Sequence, residues 1–127
     1  MWIFSVLGFF SVVCARNPVT GKIDPETVMI RARVKKHLRN LQNRFPSLAG
    51  VEILAWPERD YGFRLIVPKA VWVDALDALA QEKTWGNFKN EAAKHEAQTG
   101  SAYVNALHDV WSVMFQLQSM QEHHTRR

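Results

Sequence analysis

The hydrophobic period changes within one segment, Val28 to Phe45, and that change limits what the chain can fold into. From Val28 to Val34, apolar Val28, Ile30, Ala32 and Val34 alternate with Met29, Arg31 and Arg33. This is the two-residue period of a strand with one buried face and one wet, basic face. From Lys35 onward the apolar positions are Leu38, Leu41 and Phe45, which with Val34 recur every three or four residues. That spacing predicts an amphipathic helix over about 35–45, closed by Pro46 and Gly50. A strand that runs straight into a helix points to an α+β domain in which the helix covers the apolar side of a sheet.

The other segments extend this reading. Residues 2–14, WIFSVLGFFSVVC, are rich in β-branched and aromatic types and predict one strand with a bend or bulge at Gly8. Alternation places Trp2, Phe4, Val6, Phe10 and Val12 on one face, with Ser5, Ser11 and Phe9 on the other. Residues 16–27, with Asn17-Pro18, Thr20-Gly21 and Asp24-Pro25, predict a loop. Val51–Trp56 and Phe63–Val67 form a hairpin around residues 57–62. A helix is expected over 69–82 with Trp72, Leu76 and Leu79 inward, and a short one over 88–97 capped by Asn87. The last helix, opened by Gly100 and Ser101, carries the clearest stripe: Tyr103, Leu107, Val110, Met114 and Leu117 at spacings of 4, 3, 4 and 3, broadened by Trp111 and Phe115. The order ββαββαα predicts one four-stranded antiparallel sheet with helices packed on one face, and Ser5, Ser11, Arg31, Arg33 and Arg64 on the other. Residues 1–121 form this single α+β domain, and 122–127, with adjacent His123 and His124, form a flexible polar tail.

At 127 residues, 47% hydrophobic and 22% charged, the chain holds enough apolar material for one core without staples. Its one cysteine, Cys14, excludes an intrachain disulfide, fits a reducing compartment, and reads as a buried inert thiol. The apolar run at the start has no preceding positive charge and is too short to span a bilayer as a helix. We expect a cytoplasmic protein with no membrane contact.

Charge is unevenly distributed. Between Val28 and Val51 lie Arg31, Arg33, Lys35, Lys36, Arg39 and Arg44 and no acidic residue. The rest of the chain holds ten Lys/Arg against twelve Asp/Glu, so the whole net charge of +4 comes from this block. An ordinary solvated helix interleaves both signs, whereas these cations repel one another. The pattern suits an anionic partner: nucleic acid, a nucleoprotein complex or an acidic protein surface. Phe9 opposite Arg31 and Arg33 would add one stacking platform. A Met- and aromatic-rich last helix also permits a homodimer.

No nucleotide-loop, zinc-protease, nucleophile-elbow or paired-cysteine motif occurs, so no catalytic residue, metal ligand set or cofactor is expected. His37 should be solvated on the basic helix. Glu91 and His95 share a helix face as a surface pair. His108 reads as a hydrogen-bonded structural histidine beside the last stripe. Trp56, Tyr61, Trp85, Asn87, Phe88 and Lys89 lie in or beside loops rather than in stripes, where aromatics often anchor interfaces.

The opening MWIFSVLGFFSVV, with MIRARV, DYGFRLIVPKAVW, NFKN and HDVWSVM, resembles a family of small uncharacterised bacterial proteins. Its members open with Met-Trp-x-Phe…Gly-Phe-Phe/Tyr-Ser-Val-Val and carry Asn-Phe-Lys and Val-Trp-Ser-Val blocks late in the chain. The likeness spans residues 1–118 and implies no activity. Small proteins of this kind are often encoded by phages or mobile elements, which suggests an inhibitor of host defence, anti-CRISPR-like, only by association. Three readings therefore stand: a non-catalytic protein binding an anionic partner through residues 31–44, an inhibitor or adaptor acting through the aromatic loops, and an enzyme with an unfamiliar site around His108.

Overall fold

The computed structural model describes residues 1–125, with side chains through Gln121. Its strands are β1 (Trp2–Ser5), β2 (Gly8–Arg16), β3 (Ile23–Ala32), β4 (Leu54–Ala55) and β5 (Phe63–Pro68). The helices are α1 (Lys35–Arg44), α2 (Lys69–Gln81), α3 (Phe88–Lys94), α4 (Glu96–Thr99) and α5 (Ser101–Thr125), with a 3-10 turn at Pro46–Leu48. The strands form one antiparallel sheet in the order β1-β2-β3-β5-β4. The α+β class stands as expected, but the sheet has five strands rather than four. The backbone of α5 continues to Thr125, and the expectation of a flexible tail over 122–127 lies outside the described side chains.

The extra strand comes from a hairpin inside residues 2–14. Ser5 Oγ donates to the Gly8 carbonyl at 2.8 Å and accepts from Leu7 N–H at 3.2 Å, closing a two-residue turn at Val6-Leu7. Gly8 has φ of +140°, a conformation that side chains disfavour. The turn resets the parity of the preceding strand. Ile3 pairs with Phe10, while Trp2 pairs with Ser11 and Phe4 with Phe9. Trp2 and Phe4 therefore share a face with Ser11, not with Phe10 and Val12. The expected loop over 16–27 is also shorter, because Asn17 Oδ1 accepts from Val19 and Thr20 N–H and β3 starts at Ile23.

Phe10, Val12, Val28, Ile30, Leu65 and Val67 line one side of the sheet and bury Leu38 and Leu41 of α1 and Trp72 and Ala75 of α2. A smaller core joins Phe4 and Phe9, from the opposite side of β1 and β2, to Phe88, Ala92, Tyr103 and Leu107. Tyr103 Oη donates to the Ser5 carbonyl at 2.8 Å. Its hydroxyl is pushed well above its ordinary pKa by burial and so stays a donor.

The polar side of α1 is less wet than its charge implied. Gln42 Nε2 donates to Leu48 O and Val51 O, and Asn40 Nδ2 to Leu7 O and Gln98 O. His37 is buried rather than solvated. Its Nδ1 accepts from Phe9 N–H at 3.3 Å and its Nε2 lies 2.9 Å from the Thr99 carbonyl. An N–H donor on one side and a carbonyl on the other select the neutral Nε2–H tautomer. Burial lowers the His37 pKa below 6.5, opposed in part by the Thr99 bond. Between the folded and unfolded pKa values the unfolded chain holds the extra proton, so stability rises with pH in that window. The contribution is complete above about pH 6.5 and is lost as pH falls below it. We expect the urea midpoint to drop between pH 7.5 and 5, and to drop less in His37→Gln. Equal drops in both proteins would contradict this assignment.

Candidate functional site

Because side chains alternate along a strand, the residues between the core positions emerge on the sheet face opposite α1 and α2. Direct register partners there run Trp2, Ser11, Arg31, Arg64 and Leu54 across β1, β2, β3, β5 and β4. At about 4.8 Å per strand, Trp2 and Arg64 stand roughly 14 Å apart. Arg33 lies just beyond β3, and the β4–β5 connection adds Trp56, Arg59 and Tyr61.

The arginines are held in place by hydroxyl, carbonyl and ring neighbours rather than by salt bridges, with the Asp60 carboxylate acting on Arg64 from further away. Arg31 Nη2 donates to Ser11 Oγ at 2.7 Å and its Nε to Ser11 O at 3.4 Å. Arg64 Nε donates to Tyr61 O at 3.4 Å, and Arg33 Nε to the Asp60 carbonyl at 3.3 Å. The Tyr61 ring is buried, with the Arg31 and Arg33 guanidinium carbons 4.5 and 4.6 Å from its centroid. Arg33 also lies 5.9 Å from Phe9. Arg64 and Arg59 sit 5.2 and 5.9 Å from Trp56. Aromatic faces attract guanidinium groups without cancelling their charge.

Among the described residues the ion pairs are Arg44–Glu82, Lys94–Glu91 and His95–Glu91, and none is on this face. The Arg64 pKa is lowered by burial first, then by Arg31 and Arg59, with Asp60 opposing. Like charges crowd here because the fold places them together. Exposed rings flank them: Trp2 is 71% and Trp56 38% exposed. Beside the row, Trp2, Phe4, Phe9 and Arg33 line an apolar groove of about 400 Å³ against Tyr103 and Val110 of α5.

The six-cation block does not converge. Arg31 and Arg33 join the sheet face, but the other four belong to α1. Lys36 Nζ donates to Ala97 O, Arg39 Nη1 to Gln42 Oε1, and Arg44 pairs with Glu82; Lys35 is exposed at the start of the helix. The aromatic loops divide as well. Trp56 and Tyr61 meet the arginines, while Asn87, Phe88 and Lys89 line a separate cleft of about 380 Å³ with Phe4, Leu107 and Trp111. There Asn87 Oδ1 caps α3 by accepting from Asn90 N–H at 3.0 Å, and Lys89 Nζ lies 4.6 Å from the Trp111 centroid. Trp85 is half-buried beside Leu76 and Leu79 of α2.

Arg59 and Trp2 were not evident as site residues from sequence. Arg59 is far along the chain from the basic block, and Trp2 changes face because of the turn at Ser5–Gly8. His108 is exposed on α5 rather than structural, and Glu91 and His95 form a surface pair at 3.6 Å. Cys14 is half-buried on β2. No cluster of three metal-capable side chains occurs among the described residues, and no helix there is long and apolar enough to cross a membrane. In comparisons with known proteins the chain matches no family model, no curated protein and no solved structure.

Proposed function

We propose that this is a non-catalytic protein that binds single-stranded nucleic acid on the open face of its sheet. One observation carries the reading: Arg31, Arg33, Arg59 and Arg64 crowd around Tyr61 and Trp56, with no ion pair to a carboxylate among the described residues. Guanidinium groups fixed on rings can neutralise phosphates at little ordering cost. Trp2 and Trp56 stand at either end of the row as surfaces on which unpaired bases can stack. Tryptophan and arginine also serve protein interfaces, so an acidic protein surface is the competing partner that the test below must separate. A duplex keeps its bases stacked inside and offers those rings little. The groove between Phe9 and α5 suits a further base.

Fluorescence anisotropy with labelled oligothymidylate and oligouridylate, against a duplex of equal length, tests this. Single strands are expected to bind more tightly than duplex. With three to four phosphates neutralised, log K should fall against log salt with a slope of about −2 to −3. Polyglutamate of matched charge should compete poorly. No binding at low salt, or equal competition by polyglutamate, would overturn the reading; the second result would redirect it to an acidic protein surface.

A further inference from the structure

We infer that the distal half of α5 pairs with the same segment of a second copy of this chain. Among the described residues the helix buries Tyr103 and Leu107 at its start, 8% and 5% exposed, with Val110 half-buried and Trp111 reached by Lys89 beyond them. The same stripe continues along the helix as Met114 and Leu117, which are 57% and 43% exposed. Trp111, Val113, Phe115 and Met120 around them are more than half exposed too. Trp111 and Phe115 are already ordered against each other, stacked at 5.3 Å, with Lys89 over the indole.

The chemistry of the segment selects its occupant. From Val110 to Gln121 the sequence VWSVMFQLQSMQ contains no charged residue, so nothing in it steers an acidic or basic partner or grips a phosphate. A helix lying on a lipid surface carries Lys and Arg along its polar face, and here that face is Ser and Gln. A second copy offers a neutral apolar surface of the same kind, and the 4, 3, 4, 3 spacing of the stripe suits packing of one helix along another. Side chains of this size at half exposure present roughly 100 Å² each. Trp111, Met114, Phe115 and Leu117 share one side of the helix and offer roughly 400 Å² per copy, or about 800 Å² in a two-fold pair, the size of a weak, transient contact. The dimer is therefore expected to be weak and concentration-dependent.

Sedimentation velocity from roughly 1 to 300 µM, a range suited to micromolar affinity, is the test. The full chain should shift from monomer to dimer. Met114→Lys with Leu117→Lys should stay monomeric with an unchanged urea midpoint, and Val113→Asn with Phe115→Gln provides a second break should the first pair impair folding. Loss of the arginines on the sheet face should leave dimerisation intact, which separates this inference from the proposed function. A monomer throughout the range, a dimer that survives both variants, or association that requires anionic vesicles would overturn it.

Discussion

Exchanging Arg31, Arg33 and Arg64 for glutamine is expected to weaken single-strand binding about 100-fold at 0.1 M salt. On a slope of 0.7 per phosphate, each contact contributes about a fivefold factor between 1 M and 0.1 M salt, and three contacts multiply. Glutamate at the same positions should abolish measurable binding. The fold should survive the glutamine exchange, since Arg33 is exposed, Arg31 and Arg64 are only half-buried, and all three bond mainly to Ser11 and to carbonyls at the edge of the face. Lys36→Glu with Arg39→Glu is the matched control. It changes net charge by more than the neutralising set does, yet it acts on α1, whose apolar side packs on the opposite face. It should cost only a few-fold, through long-range attraction that salt screens. An effect as large as that of the arginine set would mean that total charge, rather than the sheet face, drives binding.

Gly8→Ala is expected to produce the largest loss of stability of any single methyl added to this chain. A Cβ at Gly8 would lie 2.3 Å from His37 Cγ and 2.6 Å from Nδ1, at a backbone φ of +140°. The conformational strain costs about 1–3 kcal/mol, and forcing an atom into a filled site costs about 1–3 kcal/mol more. The imidazole cannot retreat without giving up Phe9 N–H and the Thr99 carbonyl. Chemical denaturation should show a loss of about 2–6 kcal/mol. Combined with His37→Gly, the loss should be less than additive, because the clash is with the His37 Cβ at 2.5 Å as well as with the ring, and glycine removes both. A wild-type midpoint in Gly8→Ala would show that the β1–β2 turn and α1 do not meet as described.

Much of this arrangement is legible from residue pattern. The two-residue alternation correctly separates Val28, Ile30 and Ala32 on the core side of β3 from Arg31 and Arg33, and the three-and-four spacing correctly buries Leu38, Leu41 and Phe45. Val34, expected in both patterns, instead lies between the two elements and is 43% exposed. Hydrophobic period reports which side faces inward, and both elements are regular enough for it to work. The β1–β2 hairpin is hidden because Val6-Leu7 resembles strand rather than turn. Its signal is Ser5 followed three residues later by Gly8, the flanking positions of a common turn. Missing that signal shifts Trp2 and Phe4 to the wrong face and conceals one end of the site. Arg59 is hidden for another reason: it reaches the site through Trp56 and Arg64, and Arg64 meets Arg31 only because β5 pairs with β3, which no local pattern encodes. The burial of His37 and Asn40 is equally non-local: both look solvated on the helix and are buried by backbone groups of residues 7–9 and 98–99. Gln42 is buried nearer by, against the Leu48 and Val51 carbonyls just after its own helix.

The central claim is about place: an unpaired strand of nucleic acid lies on the open sheet face. Amide chemical-shift mapping during titration with oligothymidylate tests it directly. The predicted perturbations follow Trp2, Ser11, Arg31, Arg33 and Arg64 and the 56–62 connection, together with the indole N–H signals of Trp2 and Trp56. Perturbations confined to Lys35, Lys36 and Arg39 on α1, with the sheet-face amides unmoved, would contradict it.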